Sequence, residues 1–422
     1  MPHHSRLMMP VMEALRARGH QILYITTASD FPFEKDPISK GYECPILQSY
    51  VDPDTISNIE KYNVEFAKLW AKEVFKNPST SQWPMACSAN LIQCAIAEVE
   101  HLKVFFKVEK PDLMVALHER NRWGKLLGHY CAVNKVPFLT FQEGSYYEDR
   151  LSFFAHTEYT STLLAWGEFT RDRLIRLGCD PEKIRPVGNT HIQGWLAENY
   201  DLQRIRKEYS IPPGKKVVLF LVGIQWGCRH NDPRWKNFLG FFKDNKEWVA
   251  LLKWHPKVTF NSYQANIEPF IKKNWPGCIA THNADIYKLI PVSDFCVALG
   301  KTTAAEEAMV YGKPLVSCVG FEKGSDDLVN AGVAFDLEPD KVQSWDFLSK
   351  PIPQEMQDRV NKYLGYYFYH GNKEAIELSV NEAERLIQGP YTDPVDPGFE
   401  KQFFERIKDD ASPAEEFKYS AS

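Results

Sequence analysis

The most restrictive feature of this chain is a regular alternation of short apolar runs with helical segments, repeated in two series. The strands predicted in the first series are PDLMVALH, PFLTFQ, LLAWGE and IRPVGN. Those predicted in the second series are VVLFLVG, WVALLKWHP, CIATH, FCVAL, PLVSCV and GVAFDLE. Strands that alternate with helices form parallel sheets that are covered on both faces. The sequence therefore predicts an α/β protein with two doubly wound sheets.

The run Pro212-Pro213-Gly214 separates the two series, because proline and glycine interrupt regular elements. A length of 422 residues also favours more than one domain. The predicted parts are a first domain over residues 1–190, a linker over 191–214, a second domain over 215–352, a helical segment over 353–388 and a tail over 389–422. The tail is rich in Pro and Asp and contains one amphipathic patch, FEKQFFERI.

The N-terminal segment departs from the order expected of an α/β domain. Apolar residues at helical spacing predict a helix over Ser5–Arg18 that ends at Gly19, followed by a strand over Gln21–Thr27. Because such a domain should open with a strand, we expect the first strand of this domain to be missing. Two long helices are predicted next, over Thr55–Lys76 and Met85–Lys107.

Bulk composition argues against several classes of function. A net charge of −5 does not point to nucleic acid or an anionic membrane as a partner, so any anionic ligand must be held by local groups. No apolar run reaches the length of a membrane span, and the chain opens without the apolar core of a signal peptide. Nine cysteines without a C-x-x-C spacing are typical of reduced thiols in a cytoplasmic protein.

The spacing of sequence motifs restricts the cofactors that the protein is expected to bind. No His or Cys pair has the spacing of zinc ligands, so no metal site is expected. Neither G-x-x-x-x-G-K-[ST] nor G-x-G-x-x-G occurs, which argues against a P-loop NTPase and an NAD-dependent enzyme. We therefore expect no cofactor.

The stretch ALGKTTAAEEAMVYGKP favours a phosphate site. Gly300 and Lys301 form the turn after the strand FCVAL, and a helix starts at Thr302 or Thr303. Free N–H groups at a helix start attract phosphate, and the lysine and the two hydroxyls add to that attraction. Glu307 lies one turn further along the same face, where a carboxylate can accept from ribose hydroxyls.

An alternative interpretation of this stretch needs no ligand. Thr303 and Glu306 form the T-x-x-E pattern of a capping box, in which two side chains satisfy free N–H groups of the helix. The sequence alone leaves the two interpretations open.

The run LLKWHP ends a predicted strand, because Pro256 cannot donate to a sheet. Lys253 and His255 alternate with their neighbours, so both should lie on one face of the strand end. A buried unpaired cation is costly, so Lys253 should reach solvent or an anion. His255 could donate to a phosphate oxygen. The alternative is a structural histidine that bonds a backbone carbonyl.

From Ser5 to Ile387 the chain resembles GT-B glycosyltransferases and their sugar-nucleotide relatives. The resemblance is carried by HHSRLMMPVMEALRARGH, AWGEFTRDRLIRLGCDPEKIRPVGN, KTTAAEEAMVYGKPLV and the last helix, KEAIELSVNEAERLI. It implies two Rossmann-like domains that face each other across a cleft, with the last helix crossing back to the first domain. It also implies that His4 falls at the family's histidine, while His3 stands where a glycine is usual.

Three short motifs resemble those of particular families within that superfamily. Bacterial sialyltransferases, 3-deoxy-manno-octulosonate transferases and polyglycerol-phosphate transferases combine an acidic-Gly motif, a His-Pro motif and a Ser-Ser/Thr motif. Their analogues here are Gln142-Glu143-Gly144, His255-Pro256 and Thr302-Thr303. The resemblance implies a cytidine-activated donor, but Gln142 replaces an acid and Thr-Thr replaces Ser-Ser/Thr. A UDP-sugar therefore stays open.

The first domain should supply the acceptor side. Glu143 follows a strand and is our candidate for the general base on an acceptor hydroxyl, with His255 completing the catalytic set. His4 is the competing base. Glu119 and Arg120 close another strand and could line the acceptor side, although such residues are more often solvated loop charges.

The resulting hypothesis is a metal-independent glycosyltransferase for bacterial surface polysaccharide. Its predicted partners are a CMP- or UDP-sugar and a glycan or lipid-linked acceptor, in the cytoplasm, with peripheral membrane contact left open through FEKQFFERI. One alternative is a non-hydrolysing UDP-N-acetylglucosamine 2-epimerase, although Arg229 and His230 stand in inverted order to the motif of those enzymes and its glutamate is absent. The other alternative is a non-catalytic protein that binds sugar nucleotides.

Overall fold

A computed structural model gives the fold of the chain. It describes residues 2–27, 35–76, 82–119, 122–144, 157–256, 258–300, 302–318, 327–369 and 373–394. The FEKQFFERI patch of the tail lies outside these residues.

Within the described residues the chain forms ten strands and seventeen α-helices. The strands are β1 (Met114–Ala116), β2 (Phe138–Phe141), β3 (Thr162–Ala165), β4 (Ile184–Pro186), β5 (Lys216–Val222), β6 (Trp248–Trp254), β7 (Ile279–Thr281), β8 (Phe295–Leu299), β9 (Leu315–Cys318) and β10 (Phe335–Asp336). The helices are α1 (Pro2–Ala17), α2 (Lys35–Ser39), α3 (Thr55–Lys76), α4 (Gln82–Glu109), α5 (Arg122–Asn134), α6 (Glu168–Arg176), α7 (Thr190–Leu196), α8 (Leu202–Glu208), α9 (Ile224–Gly227), α10 (Trp235–Leu239), α11 (Phe260–Ser262), α12 (Glu268–Asn274), α13 (Ile286–Val292), α14 (Ala304–Val310), α15 (Asp327–Asn330), α16 (Gln354–Tyr367) and α17 (Ala375–Gln388). Both sheets are entirely parallel, which confirms the predicted fold class.

The second sheet is doubly wound. Its strand order is β10-β9-β8-β5-β6-β7, so the chain builds outward from β5 in one direction and then in the other. The order reverses between β5 and β8, which lie side by side. In open α/β sheets the crevice at the carboxyl ends of the strands flanking such a point is where ligands bind.

The first sheet has the order β1-β2-β3-β4. The strand predicted over Gln21–Thr27 is not a regular strand: only two isolated parallel bridges form, from Leu23 to Glu43 and from Thr26 to Ile46. Two bridges do not make a ladder, so in the part of the chain that the structure describes this segment is extended but is not a strand of the four-stranded sheet. The helix predicted from Ser5 begins earlier, at Pro2.

The central strands of the second sheet are buried on both faces because they are apolar at nearly every position. Alternate residues of β5 enter two different clusters: Val217, Leu219 and Leu221 on one face, and Val218, Phe220 and Val222 on the other. Burial of this kind contributes about 25 cal/mol for each Å² of apolar surface. The continuous apolar runs of the sequence are thus the signature of a parallel sheet with two covered faces.

The last helix, α17, belongs to the core of the first domain. Val380 and Ala383 are fully buried in the cluster that contains Leu7 and Leu15 of α1. Arg18, just after α1, donates to Glu377 at 2.6 Å and to Glu384 at 2.7 Å. The chain therefore crosses from the second domain back to the first, as the resemblance implied.

None of the described helices is both long and apolar enough to span a bilayer.

Candidate functional site

The switch point of the second sheet is formed by the ends of β5 and β8. Gly223, the residue after β5, donates its N–H to the carbonyl of Leu299 at 2.9 Å, which fixes the two strand ends together. Gly300 follows β8 with a φ of +85°, a left-handed conformation that a residue with a side chain rarely adopts. The turn after β8 therefore depends on glycine, and Thr302 and Thr303 follow it before α14 begins.

Lys253 lies near the end of β6, next to this crevice. Its side chain is only 8% exposed, and Nζ donates to the carbonyl of Trp254 at 2.7 Å. The expected contact with solvent is wrong, since the residue is buried and a backbone carbonyl satisfies part of its donor capacity. Contact with an anion stays a prediction. Burial lowers the pKa of Lys253 to about 8, and the charge of Asp285 acts in the opposite direction. A cation in this position gains most from a bound anion.

His255 follows directly after β6 and is half-buried. It lies two residues after Lys253, so both residues lie at the same end of β6, at the same edge of the sheet. The predicted strand end at Pro256 is confirmed, because β6 ends at Trp254.

Thr302 and Thr303 lie between β8 and α14 and are half-buried. The predicted capping box does not form: the side chain of Thr303 makes no capping hydrogen bond, and Glu306 is buried. The hydroxyl of Thr302 accepts a long hydrogen bond from the N–H of Ala304 at 3.4 Å. The capping interpretation is therefore wrong, and the ligand interpretation stays a prediction. Lys301, predicted to face phosphate, lies outside the described residues.

Glu307 lies in α14 and is 7% exposed. It accepts a hydrogen bond from the hydroxyl of Tyr287 at 3.3 Å. Burial raises the pKa of Glu307 to about 8, and the Tyr287 bond acts in the opposite direction. Near neutral pH this side chain is largely protonated, so it can donate to a ligand oxygen as well as accept from a hydroxyl.

In the first domain, two side chains that follow neighbouring strands contact each other. His118 follows β1, Glu143 follows β2, and the two strands are parallel neighbours. His118 Nε2 lies 3.1 Å from Glu143 Oε2, with side chains 9% and 20% exposed. Glu143 was predicted from the sequence as a site residue, whereas His118 was not. The signal was present, because PDLMVALH ends a strand on histidine just as LLKWHP does.

The sequence neighbours of this pair are anchored in the fold. Glu119 is fully buried and accepts from the N–H groups of Glu158 at 2.6 Å and Tyr159 at 3.0 Å, and from the Thr160 hydroxyl at 2.7 Å. It is therefore neither a solvated loop charge nor, with these partners, a side chain lining the acceptor side. Arg120, the other residue predicted there, lies outside the described residues.

Gln142, the residue before Glu143, is likewise anchored by hydrogen bonds. Its Oε1 accepts from the N–H of Trp166 at 2.8 Å, and its Nε2 donates to the carbonyl of Gly144 at 2.9 Å. This explains the departure from an acid at this position: an amide both accepts and donates here, whereas a carboxylate can only accept.

Glu119→Gln should destabilise the protein by about 2–3 kcal/mol, because glutamine offers a single acceptor oxygen to the three donors that the carboxylate now binds. Burial raises the pKa of Glu119 to about 7. The wild type therefore loses stability as pH rises from about 4.5 to about 7, a loss that the glutamine variant lacks. The cost of the substitution should be larger at pH 5 than at pH 8 in urea unfolding. The exposed Glu182→Gln is the control and should show no such difference.

His4, the competing base, has a backbone that lies inside α1 rather than in a loop before it. Its side chain is outside what the structure describes. The helix thus begins before the predicted start at Ser5 and includes this histidine, whose role stays a prediction.

Among the described residues no group of three His, Cys, Asp or Glu side chains is arranged to hold a metal ion. A separate cleft of about 530 Å³ opens where α6, α14 and α16 meet, lined by residues such as Glu168, Asn361 and Lys373. None of the predicted site residues lines it, so it is distinct from the switch point.

Comparison with known proteins identifies the fold but no family. No family model matches the chain, and no curated protein matches it. Among solved structures it is similar to a UDP-N-acetylglucosamine 2-epimerase with a TM-score of 0.57, 12% identity and 91% of each chain covered. It is also similar to the glycotransferase of kitacinnamycin, with a TM-score of 0.54, 13% identity, and 91% of this chain and 96% of the other covered.

A third similar structure is the UDP-GlcNAc 2-epimerase of Methanocaldococcus jannaschii, with a TM-score of 0.51, 15% identity and 96% of each chain covered. Identities this low establish the fold alone. The chain has the GT-B fold, with two Rossmann-like domains and a last helix that returns to the first domain.

Proposed function

We propose that this protein is a glycosyltransferase that moves a sugar from a CMP- or UDP-sugar to a hydroxyl of a glycan or lipid-linked acceptor. The observation that carries the proposal is the buried ammonium of Lys253 beside the switch point of the second sheet. A protein retains a buried cation with a depressed pKa at a cost, and such groups are concentrated where ligands bind. Phosphate is the anion that this crevice of a doubly wound sheet usually receives.

In this proposal the second domain holds the donor. Lys253 and His255 face the phosphate, and Thr302 and Thr303 donate hydroxyl hydrogen bonds to it. Glu307 contacts the ribose hydroxyls. As the bond from the anomeric carbon to the phosphate oxygen breaks, charge develops on the nucleotide, and positive groups that are already in place lower the barrier.

The first domain supplies the base. Glu143 is partly exposed at the end of β2, so its carboxylate is open to an acceptor hydroxyl. It takes the proton of that hydroxyl as the oxygen attacks the anomeric carbon. The cytidine-type motifs favour a glycan of the bacterial surface as the acceptor.

The proposal is distinguished from epimerisation by its products. An epimerase returns the sugar still attached to its nucleotide, whereas a transferase releases the free nucleotide. Chromatography of UDP-GlcNAc, UDP-glucose and CMP-N-acetylneuraminic acid after incubation with the protein separates these results. Arg229 and His230, the residues closest to an epimerase motif, lie just beyond Cys228 at the end of α9, and His230 packs edge-on against Phe270.

Nucleotide binding is the first test. We expect CMP, CDP or UDP to raise the melting temperature, and AMP and GDP to leave it unchanged. A ligand at a hundred times its Kd stabilises a protein by about 2.7 kcal/mol, which is readily measured. The stabilisation should be lost in Lys253→Met and kept in Lys216→Met, a lysine at the opposite end of the neighbouring strand.

A purine-selective response would overturn the donor class. No response to any of the nucleotides would overturn the donor site and favour a non-catalytic protein.

A further inference from the structure

We propose that His118 and Glu143 act as one unit, in which Glu143 contacts the acceptor hydroxyl and His118 is the positioning residue that orients its carboxylate. This inference rests on the proposed transferase function and adds to it a residue outside the motifs of the superfamily. It is carried by the 3.1 Å approach of His118 Nε2 to Glu143 Oε2.

The backbone of His118 is fixed from two sides. Gly124 of α5 packs so closely that a Cβ at this position would lie 2.2 Å from the His118 carbonyl oxygen. On the other side, the buried Glu119 bonds the segment Glu158–Thr160 through three hydrogen bonds. The imidazole therefore starts from a backbone with little freedom.

The backbone of Glu143 is fixed in a parallel manner. Gln142 ties the strand end to the N–H of Trp166 on one side and to the carbonyl of Gly144 on the other. At both strand ends one residue is buried and anchors the chain, while its neighbour contributes to the pair. Such support is what a site needs in order to hold a reacting group within about 0.5 Å of its working position.

Exposure assigns the two roles. The Glu143 side chain is the more open of the two, at 20% against 9% for His118. An acceptor hydroxyl can therefore reach the carboxylate more readily than the imidazole. His118 thus acts through Glu143 rather than on the substrate.

These groups account for each proton that moves in the proposed reaction. His118 donates its Nε2 proton to Glu143 Oε2, and the Glu143 carboxylate accepts from the acceptor hydroxyl. When the acceptor oxygen bonds the anomeric carbon, its proton passes to Glu143. The bond from that carbon to the nucleotide phosphate breaks, and its electron pair leaves with the phosphate.

The test compares His118→Gln, which keeps an N–H donor, with His118→Leu, which removes it. The exposed His129→Gln on α5 is the matched control. Release of nucleotide from UDP-glucose, UDP-GlcNAc and CMP-N-acetylneuraminic acid, with water in place of the acceptor, gives kcat and KM. We expect His118→Leu to lower kcat by roughly 10–100-fold at unchanged KM, and His118→Gln to recover most of the loss.

A second measurement does not depend on turnover. Nitrogen-15 spectra of the histidine rings, with the His118 signal assigned by its absence in His118→Gln, report which ring nitrogen carries the proton. We expect the proton on Nε2 in the wild type, and a changed signal in Glu143→Gln.

The outcomes separate the two proposals. If pyrimidine nucleotides raise the melting temperature but His118→Leu keeps wild-type kcat, or the proton lies on Nδ1, the pairing is overturned and the donor site stands. Equal losses in the Gln and Leu variants would also overturn it, because a merely structural role does not distinguish them. If the wild type neither binds nor cleaves any of these nucleotides, the proposed function fails and this inference fails with it.

Discussion

Glu143→Gln is expected to lower kcat for nucleotide release by a factor of about 10²–10⁴, the usual contribution of a general base. The amide keeps the size of the side chain and can still accept from His118, but it cannot take a proton from a hydroxyl. Binding of the nucleotide should be unchanged, because we propose that the other domain holds the donor. The measurement is the initial rate of nucleotide release, together with the melting temperature in the presence of the same nucleotide.

The control for this experiment is Glu182→Gln, an exposed carboxylate between α6 and β4 of the same domain. It should keep wild-type rates. A Glu143→Gln variant that keeps more than a tenth of the wild-type kcat would remove Glu143 from the mechanism and return attention to His4.

Lys253→Met is expected to make the ligand-free protein more stable while weakening nucleotide binding by about 10–100-fold. Burial lowers the pKa of Lys253 to about 8. Holding the ammonium in this position at pH 7 therefore costs on the order of 3 kcal/mol. Loss of the hydrogen bond to the Trp254 carbonyl offsets about 1 kcal/mol of the gain, which leaves a net stabilisation of about 1–2 kcal/mol at pH 7.

The sign of the pH dependence follows from the depressed pKa. The cost of the charged lysine is fully present below about pH 8 and disappears as pH rises toward 10.4, where the unfolded chain also loses its proton. The advantage of the Met variant should thus shrink between pH 8 and pH 10 in urea unfolding. Lys216→Met, an exposed lysine on β5 paired with Glu247, should change neither stability nor binding. A Met variant that is less stable at pH 7 than at pH 10, relative to the wild type, would contradict this account.

The strands of the second sheet could be predicted from sequence because nearly every residue in them is apolar and buried. FCVAL coincides with β8, and the apolar run that ends at Trp254 coincides with the end of β6. The first sheet was harder to delimit, since its strands have only three or four residues and their ends depend on pairing. The segment Gln21–Thr27 has the composition of a strand, but only isolated bridges hold it.

The site residues show a different limit. Sequence placed Glu119 and Glu143 in equivalent positions after two strands, yet one is fully buried and the other is partly open. What separates them is where the next loop brings its N–H groups, a long-range contact between Glu119 and residues 158–160. Single-sequence patterns carry no information on such contacts. The Thr303–Glu306 pattern likewise predicted a cap that does not form, and Glu306 is buried instead.

The placement of α17 also has a consequence for synthesis on the ribosome. The first domain is translated first, but its core includes Val380 and Ala383, which leave the ribosome after the whole second domain. Until then α1 exposes the apolar face that α17 will cover, and Arg18 lacks its two carboxylate partners. The order in which the domains are made is therefore the reverse of the order in which they can be completed, and a nascent chain ending before residue 375 should depend on chaperones that bind exposed apolar surface.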